Sequence, residues 1–145
     1  MRSAIRRLLP VIVIAIAWSG RSIAMDDSYK VIINPNNPAT AIERDFLRDA
    51  FLKKTAEWPD GETIHPVDLA SKFPAHDRFA REVLRKSPAQ LKSYWNQQIF
   101  SGKGVPPPEA DSIAAVVAFV VANPGAVGYV PSDAEVGGAK VVRTR

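Results

Sequence analysis

Residues 112–131, Ser-Ile-Ala-Ala-Val-Val-Ala-Phe-Val-Val-Ala-Asn-Pro-Gly-Ala-Val-Gly-Tyr-Val-Pro, constrain the fold more than any other stretch. Ile113, Val116, Val117, Val120 and Val121 recur at helical spacing, which predicts a helix with one broad apolar face. Ala114, Ala115, Ala118 and Phe119 leave that helix almost no polar side, so it is expected to be buried nearly all round. It is too short to cross a bilayer, which takes roughly 20 apolar residues. Asp111 is placed to cap its start, and Asn123-Pro124-Gly125 to stop it. Ala126 to Val130 then reads as a buried strand. Burying five such aliphatic side chains contributes ~1.5–3 kcal/mol each before ordering entropy is subtracted. A charge at Val117 is therefore expected to prevent folding.

The first 24 residues read differently. Arg2, Arg6 and Arg7 precede an apolar run from Leu8 to Trp18, and Ser22-Ile23-Ala24 puts small residues where signal peptidase cuts. This predicts a secretory signal peptide over 1–24, cleaved after about Ala24, with a retained anchor as the alternative. Residues 25–145 then form a single domain. The signal holds Arg2, Arg6, Arg7 and Arg21 and no acid, so the formal charge of +4 falls to zero in the remainder. A neutral domain is not expected to bind nucleic acid. Cysteine is absent, so an exported chain of this kind is held together by packing, in a bacterial periplasm or outside the cell. The membrane enters only through the signal during export.

In chain order, Tyr29 to Asn34 is a β-branched strand closed by Asn34-Pro35-Asn36-Asn37-Pro38. Thr40 and Glu43 have capping-box spacing ahead of a helix from about Ala41 to Leu52, whose inward stripe is Ile42, Phe46, Leu47, Ala50 and Phe51. Trp58-Pro59-Asp60-Gly61 is a tight turn. Thr63 to Leu69 reads as an irregular or edge strand, because Pro66 cannot donate to a ladder. A second helix turns Phe79, Ala80, Val83 and Leu84 inward. Ser87-Pro88-Ala89-Gln90 starts a third, with Leu91, Trp95 and Ile99 as its buried face and Gly102 at its end. Gly104 to Pro108 is a rigid linker, and Ala139 to Thr144 a final edge strand. The alternation predicts an α/β layer.

Few residues suggest chemistry. His65 and His76, near Asp68 and Asp77, have no metal-ligand spacing, and no cofactor motif occurs, so neither metal nor cofactor is expected. His76 is the better placed of the two for ligand contact. Ser101-Gly102-Lys103-Gly104 lacks the spacing of a phosphate loop and reads as a helix C-cap. No serine sits in a nucleophile motif, and Asp45 and Asp49 face solvent, with Asp49 and Lys53 as a weak surface pair. Trp58, Trp95 and Tyr129 are expected in the core or along a hinge-side surface. The chain is not expected to be an enzyme.

Taken together, Val31-Ile32-Ile33-Asn34-Pro35 with Pro38, Phe46 to Leu52, Trp58-Pro59-Asp60-Gly61, Ser87-Pro88 with Tyr94-Trp95, and Pro124 to Val130 resemble one lobe of the class II periplasmic binding proteins. The similarity is to the phosphate-binding component of phosphate ABC transporters and its single-lobe relatives, and runs over about 30–131. The resemblance implies an α/β fold, a small mixed sheet flanked by about four helices, with the first strand and the Gly128-Tyr129 strand near its middle. In those relatives a Ser-Gly-Thr-Arg loop holds phosphate. Counting back from Phe79, its places are filled here by Phe73, Pro74, Ala75 and His76, which removes both hydroxyls, one amide hydrogen and the guanidinium.

Two functions follow as expectations. One is an exported, non-enzymatic binding module for a small solute, an anion among the candidates, with ligand-binding residues Thr40, Ser71 and His76 where loops meet helix N-termini. The other is an accessory protein that self-associates as a homo-oligomer or docks on a partner protein, phosphate binding having been lost.

Overall fold

The computed structural model describes residues 26–145; the expected signal peptide lies outside the described residues. Strand β1 (Tyr29–Ile33) is followed by β2 (Ala41–Ile42) and helix α1 (Arg44–Phe51). Two short strands, β3 (His65–Pro66) and β4 (Asp68–Leu69), lead into α2 (Pro74–Phe79), which continues as one π-helical turn over Ala80–Leu84. Then come α3 (Pro88–Phe100), β5 (Glu109–Ala110), α4 (Ile113–Ala122), β6 (Ala126–Pro131) and β7 (Lys140–Thr144).

Five strands form a mixed sheet in the order β2-β7-β1-β6-β3, and β4 pairs with β5 in a separate parallel ribbon. β1 runs antiparallel to both neighbours, with Val31 opposite Tyr129 and Val142. β1 and β6 thus lie near the middle of the sheet, as expected. Alternation along β6 sends Gly128 to one face and Tyr129 to the other. On the first face α4 packs so closely that a Cβ on Gly128 would lie 2.9 Å from Val116 and 3.3 Å from Val120. On the second, the Tyr129 ring stacks on Phe79 at 3.8 Å between centroids, and Phe51 meets Phe79 edge-on at 4.9 Å. Helices therefore cover both faces.

Several expectations need correction. α4 is not buried all round: Val116 and Val120 are fully buried, Val117 and Phe119 half-buried, and Ala114, Ala115, Ala118, Val121 and Ala122 exposed. A single helix laid on a sheet buries one stripe however apolar its other side. Its cap is Ser112, whose hydroxyl accepts from the Ala115 amide, not Asp111. α1 starts at Arg44 with Glu43 at its cap position and no side-chain cap bond, because Ala41–Ile42 joins the sheet beside β7. Thr40 is accordingly no helix cap. Lys53 adopts a positive φ of 60° past the end of α1.

The stretch around Pro66 divides between two sheets. β3 is the edge strand along β6, whereas β4 turns away to β5. β7 is not an edge strand, since it sits between β2 and β1. α3 has the capping box read from Ser87 and Gln90, yet none of its residues is buried: Leu91 and Trp95 are half-covered, and Ile99 is 52% exposed. The tight turn at Trp58–Gly61 stands as expected, with the Gly61 amide donating to the Trp58 carbonyl over 2.8 Å. Gly102 takes a positive φ just past α3, where a C-cap was expected.

Candidate functional site

A chemically varied concavity is the groove of about 270 Å³ between α3 and the body of the domain. Asp68 on β4 and Glu109 on β5 lie at its floor, in register on adjacent strands. One wall comes from Ser71 and His76, ahead of and within α2. The opposite wall is α3, with Leu91, Lys92 and Trp95. Phe51, Leu84 and the prolines 88, 106 and 107 complete an apolar lining.

Asp68 is the central group. It stands between Val67 and Leu69, both buried, and its own side chain is only 26% exposed. Oδ1 accepts the Tyr129 hydroxyl hydrogen and, at 2.9 Å, the Leu69 amide. Oδ2 points elsewhere, with His76 Nε2 at 3.8 Å, beyond direct hydrogen-bond reach. His76 Nδ1 lies 3.2 Å from Asp77 Oδ1. Burial pushes the Asp68 carboxyl above its ordinary value, with the Tyr129 hydroxyl and the neighbouring His76 working in the other direction. Burial also raises the Tyr129 hydroxyl, reinforced by the Asp68 charge.

Ser71 and His76 are thus brought together in the groove, and Thr40 is not. Thr40 lies at the far side of the sheet, where its carbonyl accepts from the Arg143 amide at 3.3 Å, with β7, β1 and β6 between its edge and β3. Pro74 has no amide hydrogen, and the His76 amide donates to the Phe73 carbonyl at 2.9 Å. Trp58 is a core residue whose indole donates to the Gly125 carbonyl at 2.8 Å, and Tyr129 is fully buried. Among the described residues, no group of three or more His, Cys, Asp or Glu is placed to hold a metal ion.

Sequence reasoning did not single out Lys92 or Glu109, and considered Asp68 only as a metal ligand. A carboxylate flanked by Val67 and Leu69 in an apolar run was the available signal for Asp68. Glu109, in contrast, reaches the site only through the pairing of two-residue strands.

No protein-family model matches the chain, and no curated protein matches it. Solved structures do match. A protein assigned as a phosphate ABC transporter substrate-binding protein from Clostridium perfringens, with bound phosphate, superposes with a TM-score of 0.62 at 17% identity, over 82% of this chain and 46% of that one. An ABC-type phosphate transport receptor from Vibrio cholerae gives 0.64 at 15% identity, over 80% and 45%. PstS from Borrelia burgdorferi gives 0.58 at 11% identity, over 81% and 47%. The chain spans about half the length of these structures. Its fold is that of one lobe of a periplasmic binding protein, as the sequence motifs implied.

Proposed function

We propose that this chain is an exported, non-enzymatic binding module that takes a small solute in the groove beside Asp68 and His76. The carrying observation is the groove itself: a concavity with apolar walls and a few convergent polar groups, on a fold whose solved neighbours are substrate-binding proteins. Residues 25–145 act as the single domain, and residues 1–24 direct export to the periplasm or beyond. No helix among the described residues is long and apolar enough to cross a membrane. Ser71 and His76 serve as ligand contacts; Thr40, remote from the groove, would require a separate anion contact at the β2 edge.

The test is a titration of the processed protein with phosphate, sulfate, carboxylates, amines and sugars, followed by amide resonances. Saturable shifts confined to Asp68, Ser71 to His76 and the facing turn of α3 are expected. A flat response to the whole panel eliminates the solute-binding reading.

A second reading, an accessory protein that self-associates or docks on a partner, is favoured by one feature. Phe100 at the end of α3 is 96% exposed, next to Ile99 and close in sequence to Val105, 62% exposed. Where such residues join into a contiguous patch, the surface marks a site of protein–protein contact. Sedimentation as a strict monomer at high concentration, with no crosslinked partner, counts against this reading.

A further inference from the structure

We infer that the groove recognises the ammonium group of a small organic solute, with Asp68 Oδ2 as its acceptor and Trp95 as its wall. The inference rests on the solute-binding reading above and names its ligand class.

Asp68 uses one oxygen for structure and leaves the other for the groove. Oδ1 is satisfied twice from within the fold, by the Tyr129 hydroxyl and the Leu69 amide, whereas the nearest polar side-chain atom to Oδ2 among its ion pairs is His76 Nε2, at 3.8 Å. A donor group entering the groove finds there an acceptor that the protein has oriented but not consumed. Because the carboxylate is mostly buried, a charged donor is worth more at this atom than at the surface.

The surroundings set the sign of the ligand. Glu109 places a second carboxylate in register beside Asp68. A bare oxyanion would have to approach the mostly covered Asp68 carboxylate with the solvent-exposed Glu109 beside it, and like charges repel. Trp95, partly exposed on the lining, presents aromatic surface of the kind that attracts ammonium ions. Lys92, on the α3 wall, offers a counter-charge for a carboxylate at the other end of a ligand, so simple amines and amino acids share the recognised group and differ in whether they use Lys92.

Calorimetric and NMR titrations with n-propylammonium, glycine, sodium phosphate and sodium sulfate test this. The expected result is saturable binding of propylammonium, glycine or both, with shifts centred on Asp68, His76 and the Trp95 indole, and no response to sulfate. Tighter binding of glycine that Lys92→Ala reduces to the level of propylammonium assigns the carboxylate to Lys92. In Asp68→Asn the amide oxygen stays with the Tyr129 and Leu69 donors, so an NH2 group replaces Oδ2 at the groove and the charge is gone, which should weaken ammonium binding about tenfold or more. Trp95→Leu, at a half-exposed position, should weaken it several-fold, about the scale of a cation-π contact. Phosphate or sulfate binding in the groove without ammonium binding overturns the inference and leaves the solute reading intact. No binding of any probe overturns both. Ammonium binding that Asp68→Asn leaves unchanged, or shifts centred outside the groove in the wild type if that variant does not fold, also overturns it.

Discussion

The Tyr129 hydroxyl, at the centre of the sheet, donates to Oδ1 of Asp68 on the floor of the groove. This bond ties the core to the candidate site, since the same Tyr129 ring stacks on Phe79 and leaves only its polar tip for Asp68. Tyr129→Phe should keep the stack and remove the donor. Oδ1 would then retain the Leu69 amide alone, and a loss of about 1–3 kcal/mol is expected in urea unfolding. A loss below the precision of the measurement would mean that water replaces the hydroxyl freely.

Asp68 gives a prediction in pH. Burial raises its carboxyl above the ordinary value of 3.8, so the folded state prefers the protonated form more than the unfolded state does. That preference stabilises fully below the unfolded value and is lost as pH rises through the folded one. At neutral pH the wild type therefore carries a buried charge that asparagine lacks. Asp68→Asn should melt no lower than wild type at neutral pH, and the difference between the two should shrink as pH falls through the raised folded value of Asp68 and change no further below about 4. Melting curves across that range decide it, and an advantage that grows towards acid contradicts the argument.

Asn34 is a buried polar side chain with a structural task. Its amide nitrogen donates to the carbonyls of Val120, Val121 and Asn123, at 3.0, 3.1 and 3.1 Å, and its Oδ1 accepts from the Asn36 amide at 3.0 Å. It thereby serves the carbonyls at the end of α4, which have no intrahelical partner. Asn34→Ala should cost about 1–3 kcal/mol. Asn34→Asp should cost more, because it sets an acceptor against carbonyl oxygens. Chemical denaturation of both variants checks the order.

The valines of α4 separate burial from hydrophobicity. Val116 is fully buried against the sheet, whereas Val117 is half-buried on the flank of the helix. Val116→Asp should abolish cooperative folding, since an unpaired buried charge costs several kcal/mol out of a typical total of ~5–15. Val117→Asp should fold, with its charge turned to solvent. Circular dichroism melts distinguish them, and an unfolded Val117→Asp would restore the expectation that the whole helix is enclosed.

Much of the architecture was legible because it is written in local pattern. The β-branched run at 29–33, the Trp58–Gly61 turn, the Ser87–Gln90 cap and the buried strand after Gly125 each carry their signal in consecutive residues. What escaped depends on partners distant in sequence. Thr40 looked like a cap because Glu43 follows at the right spacing, but Ala41 and Ile42 pair with Arg143 and Thr144 instead. β4 and β5 are two residues each and exist only through each other, so the pairing that sets Glu109 beside Asp68 on the groove floor had no local signature. The outer side of α4 is apolar enough to mimic a buried helix. Hydropathy records what a residue tolerates, not which side the sheet occupies.

β7 pairs Val142 with Val31, the last strand described with the first. Until residues 140–144 are available, β1 has hydrogen-bonding groups open along one side, so any partial chain displays a ready template for intermolecular pairing. Closing so long a loop is slow, and the wait is longest while the chain is threaded or synthesised end to end. Shortening the tail by a handful of residues should accordingly show itself first as precipitation, before any change in the groove is noticed.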